Sequence, residues 1–451
     1  MISAMSSGSG KTVITGGLLT LLKKRGYQVR SVKCGPDYID PMFHSRILGV
    51  KSSNADLFLM GEEAAKRIVC GDNMRDFPAL TLAEGAMGFY DGIGGTTQNS
   101  AFDIADRTDT PVLLVVRSRG QSVSLAAQVL GFLNFRRPSH ICGVILNACS
   151  PTLYEHLKPI LERETSLPVL GYLPVMPEAE IPSRHLGLVT ADEISDLQRR
   201  FEAIAEQMER TMDVDRLLDL FADSGITGRS SDDRRTDASA GKKPLCRIAI
   251  ARDEAFCFYY RESIEAIRNA GGQLVFFSPL HDRIFPQGVS GLYLGGGYPE
   301  LYAKELSENT EMIAGVREAL KKKMPVIAEC GGFLYLQKLL EDGEGNIFDM
   351  VGIFAGTGRP AGHLVRFGYL HLTADSDSLL FRRGESIPAH EFHHWDTDDN
   401  GTGLKATPAR GGEPFRCAYA DAHMYAGFPH ICLEGGIPLA KRFVEAACLH
   451  W

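Results

Sequence analysis

Residues 6–12, Ser-Ser-Gly-Ser-Gly-Lys-Thr, have the types and spacing of a phosphate-binding loop. Glycines let backbone N–H groups turn toward an anion, a lysine can reach the β- and γ-phosphates of a nucleotide, and the next hydroxyl can hold Mg²⁺. The helical pattern that follows adds its positive N-terminal end. Met5 stands where such loops usually carry a glycine. A glycine- and serine-rich turn that caps a helix is therefore the alternative reading.

The segment 33–41, Lys-Cys-Gly-Pro-Asp-Tyr-Ile-Asp-Pro, follows a strand predicted over 27–32. Gly-Pro and Asp-Pro break regular structure, so we predict a loop at the carboxyl end of that strand, where open α/β sheets bind ligands. Lys33, Asp37 and Asp40 are candidates for metal, phosphate or substrate contacts. The two aspartates could equally serve only to shape turns.

Polar residues also end or follow other predicted strands. Glu84 follows the strand 80–83 and is a candidate Mg²⁺ anchor, with Asp91 as a weaker second, and the alternative for Glu84 is a solvated loop carboxylate. Asn147 ends the strand 141–146 and could bind a base edge, although asparagine after a strand often serves turn chemistry. Arg184 and His185 lie together on a predicted loop.

Cys330 is the candidate nucleophile of the second half of the chain. It stands between a predicted strand, 325–329, and two glycines that open a helix, and the Gly-Gly-Gly segment 295–297 lies upstream. A helix N-terminus lowers the pKa of a thiol, and successive glycine amides can form an oxyanion hole. A buried core cysteine is the alternative, and the flanking glycines favour catalysis.

A cysteine nucleophile needs a base, and spacing alone does not choose one. The candidate histidines occur in His-Glu-Phe-His-His, Ala-His-Met-Tyr and Phe-Pro-His-Ile-Cys: His390, His393, His394, His423 and His430.

The elements that must position these residues alternate between strands and helices. Apolar residues at helical spacing predict a helix over 12–25, and Val/Leu runs at 111–116 and 141–146 predict buried parallel strands. We predict one helix over 191–221 and a second α/β pattern from 247. The fold class is therefore α/β, with a mostly parallel, doubly wound sheet in the first half. The first strand is very short, so either it is clipped or the true start lies upstream.

Length and composition predict a multidomain protein of the cytoplasm. The 451 residues suit two or three domains, and the polar segment 223–244 predicts a linker between domains at 1–222 and 245–451. A net charge of −8 argues against nucleic acid or an anionic membrane, and no apolar run could span a bilayer. The ten cysteines lack finger spacing, which indicates a reducing compartment with mostly buried thiols.

Taken in order, these motifs resemble the cobyrinic acid a,c-diamide synthase family. The resemblance runs nearly end to end, and it rests on residues 7–12, 35–41, 84–92, 182–188, 295–300, 329–332 and 390–393. It implies an N-terminal P-loop synthetase domain like dethiobiotin synthetase and a C-terminal class I glutamine amidotransferase-like domain. The implied reaction uses ATP, Mg²⁺ and glutamine to amidate two acetate carboxylates of a tetrapyrrole through acyl phosphates. A homodimer is a further expectation from the family.

The resemblance also implies roles for individual residues. Cys330 would be the glutamine nucleophile and His430 its base, with the backbone at Gly296, Gly297 and Gly331 as the oxyanion hole. Thr12 and Glu84 would bind Mg²⁺. The residues that would bind ATP or its phosphates are Ser7, Gly8, Ser9, Gly10, Lys11, Thr12, Lys33 and Asn147. Those that would contact substrate are Asp37, Tyr38, Asp40, Asp91, Arg184 and His185.

Two departures from the family pattern bear on activity. Cys432 stands where the family has a second histidine, on the predicted face of His430. A thiol would orient an imidazole poorly, so glutamine hydrolysis could be weak, or His423 could serve as the base instead. Arg117 stands where the family has an aspartate. Sirohaem or nickel-sirohydrochlorin could replace the corrinoid as substrate. A P-loop regulatory or scaffold protein with an inactive amidotransferase domain is the reading from another class, and dethiobiotin-type carboxylation would leave Cys330 unexplained.

Overall fold

A computed structural model describes residues 1–71, 80–118, 120–177, 191–222 and 244–450. The chain divides into two compact units: Met1–Leu57 with Gly61–Asp233, and Phe58–Met60 with Arg234–Trp451. The predicted linker 223–244 lies, except for its last residue, outside the described residues.

Strands and helices alternate through the first half of the chain. The strands are β1 (Ile2–Ala4), β2 (Val29–Cys34), β3 (Lys51–Ala55), β4 (Leu80–Glu84), β5 (Val112–Arg117), β6 (Ile141–Asn147) and β7 (Val169–Leu173). The helices are α1 (Lys11–Lys24), α2 (Ile39–Arg46), α3 (Leu57–Cys70), α4 (Ala101–Thr108), α5 (Val123–Phe135), α6 (Pro151–Thr165), α7 (Ala191–Thr211) and α8 (Val214–Ala222), with a 3-10 turn at Ile93–Gly95.

In the described part of the first unit, these strands form one parallel sheet in the order β3-β2-β4-β1-β5-β6-β7. Alternate side chains of the central strands point to opposite faces, so the sheet needs a helical layer on each face. Helices α1, α2, α7 and α8 pack on one apolar cluster, and α3 to α6 pack on another. The predicted doubly wound, parallel sheet is confirmed.

The structure differs from the predicted elements at two places that bear on function. The segment 33–41 is not all loop, because Lys33 belongs to β2 and Asp40 lies in the first turn of α2. The helix predicted over 191–221 is two helices, α7 and α8. Met212 forms a bridge to Gly171 between them, which draws the chain to β7 and ends α7.

The second half of the chain adds fifteen strands among its described residues. They are β8 (Cys246–Ala251), β9 (Gly272–Phe277), β10 (Gly291–Leu294), β11 (Val326–Glu329), β12 (Leu339–Glu341), β13 (Ile347–Asp349), β14 (Thr357–Pro360), β15 (Arg366–Ala374), β16 (Ser386–His393), β17 (Trp395–Thr397), β18 (Leu404–Pro408), β19 (Phe415–Cys417), β20 (Tyr419–Ala420), β21 (Met424–Gly427) and β22 (His430–Ile431). The helices are α9 (Arg261–Asn269), α10 (Ala303–Glu308), α11 (Thr310–Lys321), α12 (Gly331–Leu336) and α13 (Leu439–His450), with a 3-10 turn at Pro299–Tyr302.

A six-stranded sheet, β20-β21-β11-β10-β8-β9, carries the candidate nucleophile of this unit. Its strands are parallel except β20, which pairs antiparallel with β21. Leu294 pairs with Ala328, and Glu329 pairs with Gly427, so β10, β11 and β21 end at the same edge. Two further sheets, β13-β12-β14-β17 and β19-β18-β15-β16-β22, complete the unit.

In the described segments, no helix combines the length and apolar character needed to cross a bilayer. All ten cysteines are free thiols, and seven of them are buried.

Candidate active sites

The segment 6–12 links the end of β1 to the start of α1, as the sequence predicts. Gly8 and Gly10 have φ values of +73° and +92°, a region that favours glycine. A Cβ on Gly10 would also lie 2.0 Å from the amide nitrogen of Asn147. That nitrogen donates a hydrogen bond to the Ser9 carbonyl at 2.8 Å. Asn147 therefore holds the loop, and its contact with a base stays a prediction.

Lys11 is buried and lies over the same loop. Its Nζ donates to the carbonyl of Ser6 at 3.2 Å and to that of Met87 in the loop after β4. Burial and the neighbouring charge of Lys33 lower the pKa of Lys11. An anion brought beside Lys11, such as a nucleotide phosphate, would favour its charged form and so offset part of this shift.

Glu84 ends β4 and is completely buried. Its Oε1 accepts from the Thr12 hydroxyl at 2.8 Å and from Lys33 Nζ at 3.0 Å, and its Oε2 lies 3.8 Å from His44 Nε2. The solvated-carboxylate alternative for Glu84 therefore does not hold. A hydroxyl and a carboxylate are the hard oxygen ligands that Mg²⁺ accepts beside phosphate and water. The two side chains fit that ion.

Lys33 Nζ also lies 2.5 Å from Asp40 Oδ2. Burial would lower the pKa of Lys33, but the carboxylates of Glu84 and Asp40 outweigh it and raise that pKa. Burial would raise the pKa of Asp40, but Lys33 reverses this and lowers it. Burial and the charge of Asp40 raise the pKa of Asp37 to about 7. Asp37 Oδ1 accepts from the Ile39 N–H at 2.8 Å, so it shapes the turn that starts α2.

The other predicted residues of this unit are placed as follows. Asp91 Oδ2 accepts from the Gly88 N–H at 2.9 Å and orders the loop that also receives Lys11. Tyr38 is buried at the start of α2, and Ser7 is exposed on the phosphate loop. Arg117 is exposed at the end of β5, in register with Asn147. Arg184 and His185 lie outside the described residues.

Cys330 sits on a strained turn between β11 and α12. Its backbone has φ 48° and ψ −102°, and a positive φ is rare for a residue with a side chain. Its N–H donates to the Gly427 carbonyl at 2.8 Å, and the Gly332 N–H donates to the Gly295 carbonyl at 3.0 Å. These bonds hold the turn to β21 on one side and to the glycine loop 295–297 on the other. Sharp strand-to-helix turns of this kind present nucleophiles.

The glycine loop is packed too closely for side chains. A Cβ on Gly331 would lie 3.0 Å from the amide nitrogen of Gly297, and one on Gly297 would lie 2.1 Å from the Ala255 carbonyl oxygen. A Cβ on Gly296 would lie 2.5 Å from Cε1 and 3.3 Å from Nε2 of His430. The Cys330 turn, the three glycines of the predicted oxyanion hole and the Nε2 edge of His430 therefore meet at one place.

The other ring nitrogen of His430 faces a buried carboxylate. His430 Nδ1 lies 3.6 Å from Glu329 Oε2, and both side chains are almost fully buried. Glu329 Oε2 also accepts from the Tyr293 hydroxyl at 3.0 Å, and Oε1 accepts from the Ile431 N–H at 2.9 Å. His430 therefore lies between this carboxylate and the glycine loop, and Glu329 directly precedes Cys330 in the chain.

The remaining candidate histidines are placed differently. His393 Nδ1 lies 2.6 Å from the Trp395 carbonyl and its Nε2 lies 3.1 Å from Glu391, so both nitrogens face structural acceptors. Burial and the neighbouring His430 lower the pKa of His390 to about 3, so it is neutral near pH 7. His394 is exposed. His423 immediately precedes β21, at the end of that strand opposite Gly427. The geometry favours His430 as base.

The structure does not show the lowered thiol pKa that a helix N-terminus would give. Burial raises the pKa of Cys330, and the nearby Glu300 carboxylate raises it further. Helix α12 has only six residues, so its dipole is weak. Burial also raises the pKa of Glu300 to about 7. The thiol therefore depends on a neighbouring base to lose its proton.

The strand that would place Cys432 on the face of His430 ends before it reaches Cys432. Strand β22 ends at Ile431, and the sulfur of Cys432 lies 4.0 Å from the hydroxyl of Ser263. The argument that Cys432 shares a face with His430 therefore does not apply, because alternation of faces holds only while the backbone stays extended.

Sequence reasoning missed Glu329, Tyr293 and His44 as parts of these groups. Glu329 carried a usable signal, because an acidic residue that ends a buried apolar strand needs partners. Nothing in the local sequence marks Tyr293 or His44, since their partners are distant along the chain.

The fold and the two groups define a class of protein, a nucleotide-binding domain joined to a glutamine amidotransferase domain. Residues 1–189 match the model of the CobQ/CobB/MinD/ParA nucleotide binding domain, and residues 247–435 match that of the CobB/CobQ-like glutamine amidotransferase domain.

Curated relatives define the family more closely. Cobyrinate a,c-diamide synthase of Caldanaerobacter subterraneus is 38% identical over 448 residues, which covers 99% of this chain and 97% of the relative. The synthase of Clostridium tetani is 36% identical and covers 99% of each chain, and that of Salmonella typhimurium is 41% identical over 88% of this chain and 85% of the relative. The chain belongs to the cobyrinate a,c-diamide synthase family.

Proposed function

We propose that this protein uses ATP and glutamine to convert the a and c acetate carboxylates of cobyrinic acid into amides. The observation that carries this function is the presence, in one chain of this family, of a phosphate loop with Lys11 and Thr12 and of the Cys330–His430 group. A scaffold protein would not need both groups assembled.

In the first unit, the substrate carboxylate attacks the γ-phosphate of ATP, which gives an acyl phosphate and ADP. Lys11 and the backbone N–H groups of the phosphate loop would balance charge on the transferred group. Thr12 and Glu84 would hold Mg²⁺, which supplies further charge stabilisation when bound. Lys33, Asp37, Tyr38, Asp40 and Asp91 lie around the same loops and would contact ATP or the macrocycle.

In the second unit, His430 takes the Cys330 proton and the sulfur attacks the side-chain amide carbon of glutamine. His430 returns the proton to the leaving nitrogen as the tetrahedral intermediate collapses, which forms a thioester and releases ammonia. Water then hydrolyses the thioester, which gives glutamate and restores the thiol. Backbone N–H groups of Gly296, Gly297 and Gly331 would stabilise the oxyanion. The ammonia attacks the acyl phosphate, so an amide forms and inorganic phosphate leaves.

Mass spectrometry with amide-¹⁵N-labelled glutamine tests the proposal. Cobyrinic acid, sirohaem and nickel-sirohydrochlorin are each incubated with the protein, ATP and Mg²⁺. We expect cobyrinic acid to gain two ¹⁵N amides in sequence. Double amidation of another macrocycle instead would keep the chemistry but overturn the substrate, and no amidation with glutamine or free ammonia would overturn the function.

A further inference from the structure

A buried carboxylate lies next to the nucleophile, and no part of the reaction above uses it. Glu329 is 1% exposed, and it has no Lys or Arg partner among the ion pairs of the described residues. An ionised carboxylate at such depth is costly unless hydrogen bonds compensate for its lost hydration. Here the hydrogen-bond donors are the Tyr293 hydroxyl and the Ile431 N–H, and His430 Nδ1 lies 3.6 Å from the same carboxylate.

The orientation of the His430 ring determines which of its nitrogens faces Glu329 and which faces the glycine loop. Its Cε1–Nε2 edge faces Gly296, and its Nδ1 faces Glu329. A neutral imidazole carries one N–H and one lone pair. If the proton resides on Nδ1, toward the carboxylate, the lone pair of Nε2 points to the glycine loop that adjoins the Cys330 turn.

We propose that Glu329 is the positioning residue of the glutaminase site, which holds His430 in the Nδ1–H tautomer so that Nε2 can take the Cys330 proton. The carboxylate also stabilises the imidazolium that this transfer creates. The inference rests on the proposed glutaminase half-reaction, and it assigns the task to the residue that directly precedes the nucleophile.

The charges and contacts around His430 are consistent with Glu329 as the acceptor for this task. From β16, His390 pairs in register with His430 and is neutral near pH 7. From β10, Tyr293 donates to Glu329 rather than accepting from His430. The Cys432 sulfur lies at Ser263. Glu391 is engaged by His393.

The variant Glu329→Gln tests the tautomer with almost no change of shape. The buried Ile431 N–H needs an acceptor, so the oxygen of the introduced amide would take the Oε1 place and its NH₂ would take the Oε2 place, toward Nδ1. Nδ1 must then accept, and the ring proton moves to Nε2. We expect kcat for glutamine hydrolysis to fall about 10²- to 10⁴-fold with little change in KM, as when the acidic member of a serine-protease triad becomes an amide.

Two readouts separate positioning from a structural role. The rate at which 6-diazo-5-oxo-norleucine, a glutamine analogue, alkylates Cys330 should fall with kcat, and this does not depend on any macrocycle. ¹⁵N NMR of histidine-labelled protein, with the His430 signal assigned from His430→Gln, should show the Nδ1–H tautomer in the wild type and Nε2–H in Glu329→Gln. ATP- and ammonia-dependent amidation should stay within about twofold.

Glu391→Gln is the matched control, because Glu391 is an equally buried carboxylate paired with a different histidine, His393. This variant should leave the His430 tautomer unchanged, and it should change the rate of Cys330 alkylation by less than about threefold. The inference is overturned if Glu329→Gln keeps glutamine hydrolysis within about threefold, if its tautomer is unchanged, or if ammonia-dependent amidation falls equally. A protein that hydrolyses glutamine but amidates no macrocycle would overturn the proposed function and leave this inference standing.

Discussion

Cys432 is two residues from His430, and its side chain contacts Ser263 of α9. Its sulfur packs at Ser263 and is buried, and burial raises its thiol pKa. The contact of this sulfur is with a hydroxyl, whereas the Nδ1 atom of His430 faces the Glu329 carboxylate. The sequence pattern alone suggests impaired glutamine hydrolysis, and the contacts suggest the opposite.

We therefore expect Cys432→Ala to hydrolyse glutamine within about twofold of the wild-type rate, because the Glu329–His430 contact is untouched. Loss of the buried sulfur should cost about 1 kcal/mol of stability. Steady-state glutaminase assays and thermal melts measure the two effects. A fall in kcat of a hundredfold or more, without unfolding, would show that the thiol does orient the base.

Replacement of His423 and replacement of His430 should affect glutamine hydrolysis very differently. His430→Ala should reduce glutamine hydrolysis as much as loss of Cys330, since proton transfer by a positioned base contributes about 10²- to 10⁴-fold. His423→Ala should have less than threefold effect, because His423 precedes β21 at the end opposite Gly427. Rates with glutamine and with ammonia, measured for both variants, check this. The reverse order of effects would mean that the base is misassigned.

At the scale of elements, α1 and α7 approach so closely that α1 carries two glycines at the contact. A Cβ on Gly16 would lie 2.3 Å from the ring of Phe201, and one on Gly17 would lie 2.6 Å from Ile204 and Met208. Phe201 is fully buried, so its ring has little room to move. These glycines lower the helix propensity of α1, but the absence of a Cβ allows α7 to pack closely against it.

Gly16→Ala should therefore destabilise the first unit by about 1–3 kcal/mol, because overpacking outweighs the better helix propensity of alanine. Gly131→Ala in α5 is the matched control, since its Cβ would meet nothing within 4 Å. It should stabilise by about 0.5–1 kcal/mol. Denaturant unfolding of both variants gives the comparison, and equal signs for the two would contradict the proposed contact.

Elements that depend on local sequence patterns could be predicted from the sequence, whereas contacts between distant residues could not. Buried runs such as 111–116, and the glycine-flanked turns at Lys11 and Cys330, are local patterns, and their elements form as predicted. The partners of Glu84 and Glu329 come from strands far away in the chain, so no local pattern contains them. Several strands of four residues or fewer in the second unit also escaped prediction, because alternation over so short a run is too weak a signal; they include β12, β13, β14, β17, β19 and β20.

At the scale of the whole chain, the proposed function combines two reactions, activation of the carboxylate by ATP and release of ammonia from glutamine, and mutations should separate them. The phosphate loop and the Cys330 group lie in different units, 1–57 with 61–233 and 58–60 with 234–451. Activation of the carboxylate and release of ammonia should then fail independently. The homodimer stays a prediction.

Cys330→Ser keeps the size of the side chain but replaces the thiol with a much weaker nucleophile. We expect glutamine-driven amidation to fall at least a hundredfold while amidation with ammonium chloride, measured by mass spectrometry of the macrocycle, stays within about twofold.

Lys11→Ala is the converse variant, because without Nζ the transferred phosphoryl group loses charge stabilisation with either nitrogen source. It should lose both amidation reactions yet still allow 6-diazo-5-oxo-norleucine to alkylate Cys330. Loss of ammonia-dependent amidation in Cys330→Ser would contradict the division of labour, and intact turnover in Lys11→Ala would remove the phosphate loop from the reaction.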